Sequence, residues 1–475
     1  MTDTERMIRM ALMTGEQYLK SIEELKLNIF MFGEKTENAA ASPVLAPALK
    51  AVGAVCDLAA DERYKDVMTT VSPITGERIN RFNHIFQNSS DLIKKLKMQR
   101  LCGGRMAACL HRSAGLDAMN ALYSTAFETD KKYGTRYFDN LRSFLAHVQG
   151  GDLTVDGAVA DPKEPASESE SSEIRLRVVE RKPGGVVVRG AKMQNVGVCA
   201  SHEIIAIPSG AVKEADKAIA FAVPTDAEGI MIIIGSQSDG GARPGDGFYG
   251  ETEALVVFDD VFVPNERIFL NGETEFTETL ADRFAAFHRQ SCSGSKSGIG
   301  DVLIGAIALA AQFNGSDKDS YVRNNLLEMT HLNETIFSCG VACSAMAEET
   351  EAGGCSIDLP LTNVCRQNVT RFPYEITRLA RSITRELMII VPSESEFRSE
   401  RPGEYIDKYF KAGVRTEYRL KIMRLIGELM FGSAAIDYLT EPMELSGGDG
   451  KNAESRQREL EDKKRLAGEI AGIDG

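Results

Sequence analysis

A run of nine residues without an apolar side chain concentrates groups that can do chemistry. It reads His288-Arg-Gln-Ser-Cys292-Ser-Gly-Ser295-Lys296 and supplies an imidazole, a thiol and an ammonium group. His288 and Cys292 are four residues apart, so on a helix they share one face and can address one metal ion or one substrate atom. Imidazole changes charge near neutral pH, which makes His288 a candidate general acid or base. The same pair is also compatible with a polar helix whose histidine is satisfied by backbone groups.

The spacing of apolar residues along the chain predicts the helices and strands that position this run. Helical patterns, with a capped start at Thr14, occupy the first third of the chain. Strand alternation follows, and residues 174–189 form a hairpin signature around Pro-Gly-Gly. Helical patterns then return, and Pro373 is expected to begin or kink a helix. The predicted fold class is α+β, with a helical N-terminal domain (1–148), a central β domain (149–272) and a C-terminal helical domain (273–475).

Composition limits the possible partners and the compartment. A formal net charge of −14 leaves no broad basic face for a nucleic-acid backbone. No run approaches the roughly 18 apolar residues of a membrane span, so no membrane partner is expected. Nine cysteines without a secretion signal favour reduced thiols in the cytoplasm. Two of them, Cys339 and Cys343, lie on an apolar helical stripe and are predicted to be packed thiols.

Further motifs lie in order along nearly the whole chain. They are Cys109-Leu-His-Arg-Ser113-Ala-Gly-Leu-Asp117-Ala-Met-Asn120, Leu153-Thr-Val-Asp-Gly-Ala-Val-Ala-Asp161-Pro-Lys163, Val188-Arg-Gly-Ala-Lys192, Glu253-Ala-Leu-Val-Val-Phe-Asp259, Glu328-Met-Thr-His-Leu-Asn-Glu334-Thr and Asn368-Val-Thr-Arg-Phe-Pro373-Tyr-Glu375. With the His288 run, this set resembles the 4-hydroxyphenylacetate 3-hydroxylase family, and within it the 4-hydroxybutyryl-CoA dehydratase branch. The resemblance implies an acyl-CoA dehydrogenase-like fold, bound FAD, a small-molecule substrate such as an acyl-CoA, and a homotetramer.

The resemblance also implies roles for particular residues. FAD contacts are implied for Gly157, Ala158, Val159, Asp161, Lys163, Lys192, Val196, Ser446, Gly447, Gly448 and Asp449. Catalytic roles are implied for His288, Glu253, Glu441, Lys296 and Cys292. Glu253 and Glu441 match two carboxylates that face one cavity in the dehydratase branch, where partial burial would raise the pKa of each. No Gly-x-Gly-x-x-Gly fingerprint lies between a strand and a helix, so FAD is implied by resemblance alone.

Two departures concern the iron-sulfur cluster of the dehydratase branch, which three cysteines and one histidine bind. The matching positions here are Cys109, Ser113, His288 and Ser295, so two thiolates are missing. A serine hydroxyl is a hard, high-pKa ligand, whereas iron-sulfur clusters are held by soft thiolates. A standard cluster is therefore not expected. Cys109, His288 and Cys292 could instead form a three-ligand metal site, or the cysteines could be thiols that line a partly apolar pocket.

Other departures separate the possible reactions. Gly157 occupies the position at which the hydroxylase branch has a histidine beside the oxygenated flavin, and Val196 replaces a threonine of the dehydratase branch. The sequence therefore predicts an FAD-dependent enzyme that isomerises a double bond or dehydrates a small acyl-CoA. One alternative is a two-component monooxygenase that hydroxylates a phenol with FADH2 and O2 and needs a flavin reductase as partner. Another is a flavin-binding paralogue without turnover.

Overall fold

The computed structural model describes residues 12–36, 42–107, 112–162, 174–235, 253–385, 390–432, 435, 438–439 and 463–465. Its α-helices are α1 (Gly15–Glu23), α2 (Ala46–Ala60), α3 (Lys65–Met68), α4 (Ser89–Met106), α5 (Ser113–Tyr133), α6 (Tyr137–Gly151), α7 (Glu275–Phe313), α8 (Ser320–Ala345), α9 (Leu359–Thr384), α10 (Glu394–Arg398), α11 (Glu400–Tyr409) and α12 (Thr416–Phe431). Its strands are β1 (Ile29–Met31), β2 (Glu34–Thr36), β3 (Thr69–Val71), β4 (Arg78–Asn80), β5 (Val155–Ala158), β6 (Arg177–Lys182), β7 (Gly185–Asn195), β8 (Glu203–Ala206), β9 (Ile219–Pro224), β10 (Ile230–Ile234), β11 (Ala254–Pro264), β12 (Ile268–Asn271), β13 (Glu348–Glu349) and β14 (Cys355–Ser356).

The central part of the chain folds into two sheets that share a hydrophobic core. The six-stranded sheet has the order β2-β1-β10-β11-β7-β6, and the four-stranded sheet has the order β12-β9-β8-β5. Apolar side chains such as Val188, Phe221 and Phe258 fill the space between them because successive residues of a strand face opposite sides. The hairpin predicted for residues 174–189 is confirmed, since β6 and β7 pair antiparallel up to Lys182 and Gly185.

The N-terminal part contains strands as well as helices. The capped start predicted at Thr14 is confirmed, because its side chain and that of Gln17 form a capping box at α1. Strand β1, however, pairs parallel with β10 and so joins the six-stranded sheet. A three-residue strand carries too little alternation to be read from sequence. The boundary predicted between residues 148 and 149 falls inside the last turn of α6.

Helix α7 is the central element of the C-terminal part. It is 39 residues long and packs against α4, α5, α8, α9 and α12. It is the one described helix that is long and apolar enough to cross a membrane by composition, but 56% of that window is buried inside the protein. A core helix has the same composition. Helix α9 runs from Leu359 through Pro373, so of the two expectations for this proline the start of a helix is wrong, and a kink stays a prediction.

The crossing of α4 and α7 is unusually close. A Cβ atom on Gly298 would lie 2.2 Å from the carbonyl oxygen of Arg100, and one on Gly103 would lie 2.4 Å from that of Ser295. Only glycine fits at such a contact, because any side chain would push the helices apart. The polar run of α7 is thereby buried against the backbone of α4.

Candidate active site

The site begins with the imidazole of His288 on α7. Its Nδ1 atom lies 3.1 Å from Oδ2 of Asp117 on α5. The ring is 15% exposed, and the ring of Phe284 stacks on it with centroids 5.3 Å apart and planes 14° apart. The histidine is therefore held from one side by a carboxylate and from another by an aromatic face.

Asp117 is the centre of a buried polar network. It is inaccessible to solvent, as is Lys95 of α4, whose ammonium group donates to Oδ1 of Asp117 at 2.7 Å. The hydroxyl of Ser291 donates to the same carboxylate at 3.0 Å. Lys95 also donates to the backbone oxygen of Phe287 at 3.0 Å. A buried charge is tolerated only when it is paired and hydrogen-bonded, and both conditions are met here.

This network determines which nitrogen of His288 can exchange protons with a ligand. The carboxylate of Asp117, which is paired with the ammonium group of Lys95, accepts a hydrogen bond from Nδ1–H, and this fixes the tautomer of the ring. Proton exchange with a ligand then falls to Nε2. The arrangement of acid, histidine and buried support is one that orients a general base.

Two of the three segments predicted to contact FAD meet at one place, which we call the strand corner and define as residues 157–161 and 192–196. Met193 N–H donates to the oxygen of Ala160 at 2.8 Å and so joins the two segments. Met193 is 39% exposed and Val196 is half-buried, so the corner presents apolar surface. The amide oxygen of Asn195 is buried without a hydrogen-bond partner among the described residues.

Lys192 holds the strand corner together from inside. Its buried ammonium group donates to Oδ1 of Asp161 at 2.6 Å and to the backbone oxygens of Val159 and Ile207 at 3.0 and 2.7 Å. Burial would raise the pKa of the Asp161 carboxyl, but the ion pair with Lys192 and a hydrogen bond from Ser209 keep it below its ordinary value. All three ammonium hydrogens are used in these bonds, so Lys192 serves the interior of the corner and not a hydrogen bond to a flavin.

Asp156 shapes the same corner from the core side. Its carboxylate accepts hydrogen bonds from the backbone of Gly157 and Gly197, while its Oδ2 atom is buried without a partner among the described residues. Burial raises the pKa of Asp156 to about 7. The turn after β7 is therefore fixed by a carboxyl group that is partly protonated at neutral pH.

Gly157 connects the strand corner to the His288 network. A Cβ atom on Gly157 would lie 2.6 Å from the backbone of Ala114 in the first turn of α5. Ala114 is one helical turn before Asp117, so strand β5, α5 and His288 form one continuous arrangement. The contact also leaves no room for the histidine that the hydroxylase branch has at this position.

The two serines at cluster positions make hydrogen bonds to the protein. Ser113 donates to Oε1 of Gln99 at 3.2 Å, and Ser295 donates to the oxygen of Ser291 in its own helix at 3.4 Å. Within the described parts of the chain, no group of three or more histidine, cysteine or acidic side chains could hold a metal ion. Cys109 lies outside those parts, so the three-ligand site stays a prediction.

Two further residues of the His288 run face helices of the C-terminal part. Cys292 is 1% exposed and packs against Ile336 and Val369. Lys296 is fully buried, and its ammonium group donates to the backbone oxygen of Val369 at 3.3 Å. Both side chains therefore contribute to packing beside the site.

Of the remaining predicted site residues, Glu253 is described by the structure and the others lie outside the described parts. Glu253 is exposed and comes directly before Ala254, which pairs with Asn195 at the strand corner. The carboxylate is thus at the edge of the corner. Outside the described residues lie Lys163, Glu441, Ser446, Gly447, Gly448 and Asp449.

Sequence reasoning missed the roles of Asp117 and Lys95. Asp117 was part of a recognised motif, but Lys95 lies 22 residues earlier, on a helix with several other lysines. Lysine is rarely buried, so nothing in its spacing marks it. The one available signal was Asp117 itself, an acidic residue among mostly small and apolar residues of a predicted helix.

Comparison with known proteins identifies the family of this chain. Residues 14–270 match the family model described as 4-hydroxyphenylacetate 3-hydroxylase N terminal, and residues 277–472 match its C-terminal counterpart. A 4-hydroxybutyryl-CoA dehydratase/vinylacetyl-CoA-Delta-isomerase of Clostridium aminobutyricum is 45% identical, over 97% of this chain and all of that protein. A 4-hydroxyphenylacetate 3-monooxygenase oxygenase component of Thermus thermophilus is 25% identical, over 88% of each chain.

Solved structures confirm the α+β fold class. The oxygen-tolerant archaeal 4-hydroxybutyryl-CoA dehydratase of N. maritimus superposes with a TM-score of 0.93 at 38% identity, covering 98% of this chain and 96% of that one. The oxygenase component of 4-hydroxyphenylacetate 3-monooxygenase has a TM-score of 0.84 at 22% identity, over 97% of this chain and 99% of that one. The chain therefore belongs to the 4-hydroxyphenylacetate 3-hydroxylase family, and it is more similar to the two dehydratases than to these oxygenase components.

Proposed function

We propose that this protein is an FAD-dependent enzyme of the dehydratase branch that moves protons on a small acyl-CoA. The favoured reaction is isomerisation of a β,γ double bond to the α,β position, with dehydration as a related activity. The observation that carries the proposal is the buried Lys95–Asp117–His288 network, which orients a histidine and which helix α5 connects to the strand corner. The 45% identity to a dehydratase that is also a vinylacetyl-CoA isomerase supports the substrate class.

His288 would act as the proton carrier. With Nδ1 held by Asp117, Nε2 removes a proton from the carbon next to the thioester carbonyl. The imidazolium that forms is stabilised by the Asp117 carboxylate beside it, and it returns a proton at the γ carbon. One base that serves both carbons needs no exchange with water, because the ring is only 15% exposed.

The strand corner fits a large ligand with a polar and an apolar part. It combines exposed Met193 and half-buried Val196 with the amide oxygen of Asn195, which has no hydrogen-bond partner among the described residues. Residues 157–161 and 192–196 would hold FAD, whose bound form supplies reversible electron transfer. A structure of the same fold, at 22% identity, is described as complexed with FAD.

The cluster positions do not fit a standard iron-sulfur cluster. Ser113 and Ser295 offer hydroxyl oxygens, and both hydroxyls hydrogen-bond to protein oxygens. Thiolates are the ligands such clusters need. We therefore assign the reaction to the protein's own acid and base groups and infer no step through a cluster.

The test is anaerobic incubation of the FAD-reconstituted protein with vinylacetyl-CoA, followed by detection of crotonyl-CoA. His288→Ala should lower the rate by about 10²–10⁴-fold, the usual contribution of a general acid or base. His331→Ala is the matched control, since that ring is 71% exposed on α8. Equal rates of crotonyl-CoA formation for wild type and His288→Ala would show that His288 is not the base.

The monooxygenase alternative has a separate readout. Oxygen consumption with reduced flavin and a phenol would support it, and the close contact between Gly157 and Ala114 argues against it. If crotonyl-CoA does not form and oxygen uptake follows added phenol, the isomerase proposal is wrong.

A further inference from the structure

Two buried cysteines of the C-terminal helices lie in contact. The Sγ atoms of Cys343 on α8 and Cys365 on α9 are 3.8 Å apart, and both side chains are 0% exposed. The packed thiol that the sequence predicts at Cys343 is confirmed, but its neighbours include a second thiol as well as apolar groups. We propose that Cys343 and Cys365 form a reversible disulfide when the protein meets a peroxide.

The surroundings make one of the two sulfurs the nucleophile. Cys365 donates to the sulfur of Cys343, and its contact with Cys343, together with the positive charge of Arg289, holds the pKa of the Cys365 thiol below its ordinary value. The thiolate is the reactive form, so Cys365 attacks first. Cys343 donates to the oxygen of Gly340 at 3.2 Å and keeps its proton until the second step.

The chemistry balances with one hydrogen peroxide. Attack by the Cys365 sulfur breaks the O–O bond, gives a sulfenic acid and releases one water, which carries the proton of that thiol. Attack by the Cys343 sulfur then forms the S–S bond and breaks the S–O bond, and the second thiol proton leaves with the second water. Each sulfur loses one electron, and the peroxide oxygens gain two.

The position of the pair connects it to the His288 run. Asn363, two residues before Cys365, accepts a hydrogen bond from Arg289 at 2.8 Å. Arg289 is next to His288 on α7. Bond formation draws α8 and α9 together from van der Waals contact to covalent distance, which shifts Asn363 and strains its bond to Arg289. Oxidation of the two cysteines should therefore shift the position of the His288 imidazole.

Cys339 is the competing thiol. It lies one turn before Cys343, is half-buried, and its sulfur accepts a hydrogen bond from Asn368 at 2.8 Å. Burial raises the pKa of Cys339, so it is a weaker nucleophile than its greater exposure suggests. The contact at 3.8 Å favours Cys343 as the partner of Cys365.

The experiment treats the folded full-length protein with graded hydrogen peroxide, alkylates the remaining thiols and maps disulfides by mass spectrometry. The expected product is a linked pair of peptides that contain Cys343 and Cys365 and have lost two hydrogen atoms. Reduction with dithiothreitol should restore both free peptides. This readout needs no substrate, so it is independent of the proposed isomerase reaction.

Variants make the outcome decisive. Cys343→Ser and Cys365→Ser should each abolish the linked peptide, whereas Cys56→Ser, a buried cysteine of α2, should leave it unchanged. Activity of the oxidised protein should fall by ~10-fold or more, as a shift of about 1 Å can cost 10²-fold. A Cys339–Cys365 link, or no link while other cysteines oxidise, would overturn the proposal. So would equal peroxide sensitivity of wild type and both serine variants.

Discussion

The substitution Asp117→Asn gives a demanding test of the site. It keeps the shape of the side chain but removes the charge that faces Lys95 at 2.7 Å. Both side chains are 0% exposed, so water does not screen the loss. Removing one partner of a buried ion pair costs about 3–5 kcal/mol, and we expect the free energy of unfolding to fall by that amount.

The catalytic effect follows from the same hydrogen bonds. An asparagine amide can donate to Nδ1 of His288, which then moves the ring proton to Nε2. The ring would be the wrong tautomer for a base, so kcat for isomerisation should fall by roughly 10²–10⁴-fold. The KM for the acyl-CoA should change little, because Asp117 is fully buried behind the histidine.

A double-mutant cycle separates stability from catalysis. Lys95→Met should also be destabilising, whereas the double variant Lys95→Met/Asp117→Asn should recover all but about 1–2 kcal/mol, since the buried charges disappear together. Urea unfolding followed by circular dichroism measures the stability, and crotonyl-CoA formation measures kcat. If the folded Asp117→Asn protein keeps kcat within about twofold of wild type, the tautomer reasoning is refuted.

Three further outcomes are expected. Gly157→Ala should destabilise by about 1–3 kcal/mol in a thermal melt because its Cβ would meet α5 at 2.6 Å, whereas Gly150→Ala, with nothing within 4 Å, should not. The pKa of Asp156 is raised from 3.8 to about 7, so stability is lost as pH rises through that interval, and Asp156→Asn should stabilise more at pH 8 than at pH 5, by about 2.7 kcal/mol, since each pH unit between 5 and 7 is worth about 1.36 kcal/mol. A larger gain at pH 5 would contradict this. Ser113→Cys/Ser295→Cys should gain iron on anaerobic reconstitution, measured per protomer, whereas the unsubstituted protein should not.

Local patterns predicted much of the fold. The capping box at Thr14 and the hairpin at residues 174–189 come from short-range signals that the structure reproduces. Strand β1 was missed because its partner β10 is about 200 residues away and supplies the reason for its conformation. Pro373 was expected to begin or kink a helix; it lies inside α9, where tertiary packing outweighs the loss of one helical hydrogen bond, and the kink stays a prediction.

The candidate site was predictable only in part. His288 could be singled out because imidazole, thiol and ammonium groups within nine residues are uncommon. Its support could not, since the pairing of Lys95 with Asp117 depends on how α4, α5 and α7 pack. Lys192 was expected to contact FAD. In the structure its ammonium group donates to three oxygens inside the strand corner.

The glycine crossing of α4 and α7 has a consequence for how this scaffold can change its chemistry. With Gly298 against the backbone of Arg100, the two helices cannot shift apart or together without losing their contact. A serine in place of a cysteine at position 295 therefore changes which ligands this part of α7 can bind, while the packing of the two helices stays the same. A rigid frame of this kind lets one fold gain or lose an inorganic centre by single-atom replacements.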